Sequence, residues 1–336
     1  PKLKLAQSVY LDCVVIKAFT QALVKLLPNI KALRFDGNCD YSCDCDGEWQ
    51  QDLITVLSCI DGLEHVEIEY EALNNIRIST KNQIFPKSLK SLIIRMHRSY
   101  EIYDKYLYLY DTIDSTYINL HTISIYSNRL LQNLSSGLPN LQKVEIEIVN
   151  LDKSKFIKFI KANPQLRNLD TRFWYYKEEM IKAVLSSIHL QHWLICGWTW
   201  EDTEVNNLPS NYSIKHLRIS YDVPAPIALK IINACKSIKN LDLSCYEYHL
   251  NSLEWSKFER RINILNLSYD KWTPNDIKEI DASRLFNSIH IERRYNIDEN
   301  TIKLYIDKIN SFKLNNYKFI ILTTKSFILE LINKTN

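Results

Sequence analysis

A short pattern, apolar–x–x–apolar–x–apolar, recurs at a constant step of 24 residues through the second half of this chain, and that regularity restricts the fold to a repeat architecture. The six units are Leu166/Leu169/Thr171, Leu190/Trp193/Ile195, Ile214/Leu217/Ile219, Ile238/Leu241/Leu243, Ile262/Leu265/Leu267 and Phe286/Ile289/Ile291. Thr171 is the weakest match. Upstream the pattern continues with steps between 21 and 33 residues. It reads Ile30/Leu33/Phe35, Leu63/Val66/Ile68, Leu89/Leu92/Ile94, Leu120/Ile123/Ile125 and Leu141/Val144/Ile146, and a final unit is expected around Tyr317 to Leu322.

The last two apolar positions of each unit lie two residues apart, so they share one face of a short strand. Between units the apolar residues are spaced three and four apart, as in Lys155–Ile160, Glu178–Leu185, Ile227–Ile232, Leu253–Phe258 and Ile302–Ile309. Asp152, Thr273 before Pro274, and Asp298 signal helix starts. A strand and a helix in every repeat predict an α/β solenoid of about 11–12 repeats, with a curved parallel sheet inside and helices outside. Residues 1–29 read as an N-terminal helical cap or the first repeat's helix. Residues 30–322 form the array, with insertions near 36–50 and 95–118, and residues 323–336 form a C-terminal helical cap.

Composition narrows the function. The 336 residues are 46 % apolar and 24 % charged, which suits a folded chain rather than a disordered one. Five glycines, none spaced to cradle a phosphate, exclude Walker-type and dinucleotide-binding loops. A net charge of +3 is too balanced to predict a nucleic-acid partner, and no apolar run reaches membrane-spanning length, so neither nucleic acid nor membrane is expected as a partner. Eight scattered cysteines read as reduced thiols in a cytoplasmic or nuclear protein. No Gly-x-Ser-x-Gly, His-Glu-x-x-His or Cys-x-x-Cys is present, so no enzyme activity and no cofactor are predicted. The chain begins at Pro1 rather than Met, which reads as a fragment or a processed N-terminus.

Leu120-x-x-Ile123-x-Ile125-x-x-Asn128-x-Leu130 is the fullest copy of a consensus that resembles the leucine-rich repeat, in its helix-bearing, ribonuclease-inhibitor-like class. Asn38 and Asn128 match the family's turn asparagine, eight places after the first apolar residue. Other units carry residues such as Trp174, Trp198 and Tyr246 there. That loose ladder is similar to fungal F-box leucine-rich-repeat proteins. The resemblance implies the substrate-recognition part of a ubiquitin-ligase receptor, with a cullin–RING ligase adaptor engaged through an F-box that is itself not found in the sequence. The alternative is a sensor or inhibitor array unrelated to ubiquitin, and a GTPase activator is a weaker third.

The expected binding surface is the concave wall, formed by residues two, four and six places after each first apolar position. The fourth-place column supplies Arg34, Glu67, Glu145, Asp170, Arg218, Asp242 and His290 toward a protein substrate. Arg218 and Asp242 fall on neighbouring units and are expected to lie close enough to pair, as are His192 and His216. Tyr103, Tyr106 and Tyr108, in the Tyr-rich insertion, and Trp174, Trp198 and Tyr246 are candidate recognition aromatics, against a stronger expectation that these rings are simply packed. The stretch carrying Cys39, Cys43 and Cys45 among aspartates lacks a histidine and a properly placed bidentate Glu, so it is expected to be an acidic loop without metal.

Overall fold

The computed structural model describes residues 6–12, 29–36, 48–69, 83–95, 107–200, 205–221, 223–245, 252–268, 274–292, 314–323 and 326–332, with isolated positions at 25, 78, 307 and 311. The cysteine- and aspartate-rich stretch, Tyr103, Tyr106, Tyr246 and most of 302–309 lie outside the described residues. Two compact units divide the chain, Pro1–Leu166 and Arg167–Asn336.

In the first unit the order is β1 (Ser8–Asp12), β2 (Ala32–Asp36), α1 (Glu48–Cys59), β3 (His65–Glu69), β4 (Ser91–Arg95), β5 (Thr122–Ile125), α2 (Asn128–Asn133), β6 (Lys143–Ile148) and α3 (Lys153–Ala162). A 3-10 turn at Leu109–Thr112 stands in the repeat between β4 and β5. The successive strands β1 to β6 pair in parallel. The pairing holds the repeat in register, with Leu33 beside Val66, Val66 beside Leu92, Leu92 beside Ile123 and Ile123 beside Val144.

The second unit contains β7 (Asn168–Tyr176), α4 (Glu178–Leu185), β8 (His192–Trp200), β9 (His216–Tyr221), α5 (Ala225–Ala234), β10 (Asn240–Cys245), β11 (Ile262–Ser268), α6 (Pro274–Ser283), β12 (Phe286–Glu292), β13 (Tyr317–Thr323) and β14 (Ser326–Leu331). Strands β7 to β12 are parallel and adjacent, aligned at Leu169, Trp193, Leu217, Leu241, Leu265 and Ile289. The constant step of 24 residues is therefore the length of one circuit out through the helix layer and back to the next strand.

All three apolar positions of all eleven units are buried, Thr171 included. Each helix adds its own stripe: Phe156, Phe159 and Ile160 on α3, Met180, Ile181, Val184 and Leu185 on α4, Ile227, Ile231 and Ile232 on α5, and Ile277 and Ile280 on α6. No single repeat encloses such a stripe alone, so stacking is what removes it from water. The N-cap signal at Asp152 is realised: its carboxylate accepts the backbone N–H groups of Ser154 and Lys155 at 2.9 and 3.1 Å.

Three sequence expectations are corrected. Within residues 1–29, read as helical, Ser8–Asp12 is a strand in register with Ala32–Asp36, and it buries Leu11 as period-two alternation requires. Within 323–336, read as a helical cap, Ser326–Leu331 is strand β14. It lies antiparallel against both β12 and β13, so the unit expected at Tyr317–Leu322 is a strand displaced one place outward. The segment Leu253–Phe258 forms only a 3-10 turn, Trp255–Lys257, because its rings cluster: Trp255 meets Phe258 at 5.4 Å and Phe286 at 5.9 Å.

The polar residues that close the turns were only partly legible. Asn128 behaves as the resemblance implied, donating to the Asn150 carbonyl and accepting the Asp152 N–H, both at 2.7 Å. Two further asparagines, three places before a first apolar residue, do comparable work. Asn163 accepts the Leu138 N–H at 2.9 Å and donates to the Phe159 carbonyl at 2.9 Å. Asn211 donates to the carbonyls of Leu185 and Ser187 and accepts the N–H groups of Ser213 and Ile214. Both are buried, where an unpaired backbone group would be costly. Gly137 turns the chain after α2 with φ at +90°, and a Cβ there would lie 2.7 Å from the Ala162 carbonyl oxygen.

Candidate functional site

Strand alternation that turns each unit's apolar pair inward turns the intervening residues outward, so each unit of the chain carries one sheet face free of helices. In the first unit, register places Tyr10, Arg34, Glu67 and Ile93 side by side on β1 to β4, and Ser124 beside Glu145 on β5 and β6. Ser124 is buried and its hydroxyl accepts the Ile94 N–H at 3.3 Å.

Arg34 organises the charges at this end. Its guanidinium lies 3.0 Å from Glu69 and 3.5 Å from Glu67, with its carbon 5.5 Å from the centre of the Tyr10 ring. Glu67 is also paired with Arg95 on β4. Tyr10 donates its hydroxyl to Asp36 at 2.7 Å. That hydrogen bond is the main reason its phenol titrates above its ordinary value, and the bond that Arg34 donates to Glu69 likewise raises the Arg34 pKa. The face of β1 to β4 is thus a network of alternating charge under one exposed aromatic ring.

In the second unit the fourth-place column runs without a break across six strands: Asp170, Leu194, Arg218, Asp242, Asn266 and His290. Arg218 and Asp242 stand 3.5 Å apart, the pairing expected from their spacing. Asp170 is held instead by Arg172, two residues along its own strand, at 3.1 Å. In the neighbouring column His192 and His216 stack face to face, centres 4.3 Å apart and planes 2° from parallel. Burial lowers the pKa of both. The second ring adds to the effect on His192, and Lys215 and Lys239 add to it on His216.

The column residues named from sequence therefore fall into two groups, Arg34, Glu67 and Glu145 on the first unit and Asp170, Arg218, Asp242 and His290 on the second. The aromatic candidates divide differently. Tyr108 is buried and stacks on Tyr110 at 5.4 Å, so its ring is packed inward. Trp174 and Trp198 stand within the nine-residue strands β7 and β8, which run straight through the position where a turn was expected. Sequence reasoning missed Tyr10, Asp36, Glu69 and Arg95, three of which pair with column residues. Reading β1 as a strand would have brought Tyr10 and Asp36 into the column and its neighbour.

Among the described residues no group of three or more His, Cys, Asp or Glu side chains is placed to hold a metal ion. Among them too, no helix is long and apolar enough to cross a membrane.

No protein-family profile matches the chain, and no curated protein matches it. Among solved structures it is similar to the leucine-rich-repeat-containing protein LegL7 from Legionella pneumophila, at 11 % identity over 91 % of this chain and 90 % of that one, with a TM-score of 0.44. It is also similar to a chain of the TLR13–ssRNA13 complex, at 13 % identity over 80 % of this chain and 37 % of that one, with a TM-score of 0.38. The repeat registered strand by strand and the helices between strands carry the conclusion independently: this chain has an α/β solenoid fold of leucine-rich-repeat type.

Proposed function

We propose that this chain is a protein-binding scaffold whose partner docks on the helix-free face of the sheet, in the manner of a sensor or inhibitor array. One observation carries the reading. In the second unit six adjacent strands present an acid, an aliphatic residue, a base, an acid, an amide and an imidazole in register. Chemistry that changes at every ~4.8 Å step suits one irregular partner surface and not a repetitive polymer. The side chains are half-buried by their neighbours, so their orientation is largely set before a partner arrives, which lowers the entropy cost of binding. The ubiquitin-ligase receptor role implied by repeat style is the second reading, and it requires an adaptor-binding F-box.

The test is affinity capture followed by mass spectrometry, using a double reversal, Arg218→Glu with Asp170→Lys. Ion pairs open to solvent on one side, as these half-buried ones are, contribute about 0–1 kcal/mol to folding, so the variant should melt close to the parent. A partner that buries these groups loses ~2–5 kcal/mol, enough to abolish capture. Lys158→Glu, on the exposed side of α3, should leave capture intact. Equal behaviour of the two variants would remove the sheet face from consideration.

A further inference from the structure

The edge of the second unit where helices return to strands has a chemistry of its own. The backbone ladder fixes which residues share it. Lys215 N–H donates to Gln191 O, Lys239 N–H to Lys215 O, and Ile264 N–H to Lys239 O, so the residues that open successive strands stand in a row. The turns just before them stack as well: Asn211 bridges to Cys235, Lys236 N–H donates to Asn211 O, and Arg260 donates to the carbonyls of Ile232 and Cys235.

This edge is basic. Lys215, Lys236, Lys239, Arg260, Arg261 and Arg284 lie on it, and Glu259, paired with Lys236 at 2.6 Å, is the single acid in the described segments 186–191, 209–215, 234–239, 258–261 and 284–285. Lys215, Lys239, Arg261 and Arg284 are exposed. Their field is felt nearby, since Lys215 and Lys239 both add to the lowering of the His216 pKa that burial begins. In a chain of almost balanced net charge, six cations against one acid make these described segments distinctly basic.

Ile188 and Tyr212 stand on the same edge, 24 residues apart at the same point of consecutive repeats. At 73 % and 72 % exposure they are the most exposed large apolar side chains among the described residues. Their turns are tied together, with the Ser213 hydroxyl donating to Ser187 O at 3.0 Å and Asn211 donating to the same carbonyl at 2.9 Å. Two rigidly mounted apolar tips projecting beside a row of cations suit a soft, anionic, amphipathic surface. An acidic peptide would call for the tips to be recessed in a groove, and a polyanion would gain nothing from the isoleucine.

We propose that the helix-to-strand edge of the second unit docks on anionic lipid bilayers, with Ile188 and Tyr212 entering the interface and the lysines and arginines meeting the headgroups. Apolar insertion and polybasic attraction are individually weak, and reversible anchoring takes both. Tyrosine is among the side chains enriched at that interface.

Flotation of the full chain with vesicles is the direct test. It should float with phosphatidylcholine vesicles containing phosphatidylserine and remain at the bottom with phosphatidylcholine alone. Lys215→Gln with Lys239→Gln should weaken partitioning about 25-fold, at roughly fivefold for each cation removed. Ile188→Ser with Tyr212→Ser should weaken it about tenfold or more. Lys230→Glu, exposed on α5 away from the edge, should leave it unchanged, and circular dichroism should show all variants folded. Flotation that ignores phosphatidylserine, or that survives loss of Ile188 and Tyr212, overturns the proposal. So does binding to single-stranded RNA that needs the lysines but neither apolar tip, with no flotation; that result would assign the edge to a nucleic acid.

Discussion

Replacing Thr171 by Val tests how a polar residue is accommodated at an apolar position of the repeat. Thr171 is buried, and its hydroxyl donates to the Leu194 carbonyl at 2.9 Å. The Trp193 indole N–H donates to the Thr171 hydroxyl oxygen at 3.2 Å. The Tyr176 hydroxyl lies 2.8 Å from it and 2.9 Å from the Thr171 carbonyl. Trp193 and Tyr176 are among the largest fully buried side chains, so water has no easy route to replace what is lost. Valine matches threonine in volume and leaves no cavity. It removes the acceptor of the buried indole N–H, at about 1–3 kcal/mol, and one net hydrogen bond of about 1 kcal/mol, while Tyr176 keeps the Thr171 carbonyl. The sum is about 2–4 kcal/mol. With a urea m-value of ~3 kcal/mol/M, the unfolding midpoint followed by tryptophan fluorescence should fall by ~1 M. Thr171→Ser keeps the hydroxyl, loses one methyl and should cost about 1 kcal/mol. Strand propensity favours valine, so it pushes against the predicted loss. A Thr171→Val midpoint at or above that of the parent would refute this account of the node.

The stacked imidazoles predict acid sensitivity. Both folded-state pKa values lie below the ordinary 6.5, chiefly through burial, so the unfolded chain binds more protons as pH falls through 6.5 and stability declines. His192→Asn with His216→Asn should flatten that decline between pH 7 and 5, and NMR titration placing either ring at or above 6.5 would contradict it. Burial raises the Cys235 thiol pKa to about 12, while Cys59 is exposed. A thiol reagent at neutral pH should therefore label Cys59 readily and Cys235 only after unfolding; fast labelling of Cys235 in the native state would show its burial to be wrong. Gly137→Ala places a Cβ against the Ala162 carbonyl at a left-handed backbone position and should cost at least ~1–2 kcal/mol, read as a lowered melting temperature. An unchanged melting temperature would mean that the turn after α2 relaxes freely.

Periodicity alone determined the architecture. A constant step carries the same face to the same place in every circuit, so the inward positions, the register of β7 to β12 and the adjacency of Arg218 to Asp242 could all be counted off the sequence. Helices α3, α4, α5 and α6 were legible for a related reason, because capping and apolar spacing act within a few residues. What lay beyond counting was decided by contacts between distant residues. β1 is a strand because β2 offers it an open edge, and β14 takes the place beside β12 by pairing antiparallel with it as well as with β13. Thr171 holds an apolar position because Trp193 and the Leu194 carbonyl on the neighbouring strand, with Tyr176 five residues along its own strand, satisfy its hydroxyl. The basic edge carrying Ile188 and Tyr212 exists only once the turns are stacked: in sequence its cations are scattered among neutral residues, and only the folded ladder brings them into one row.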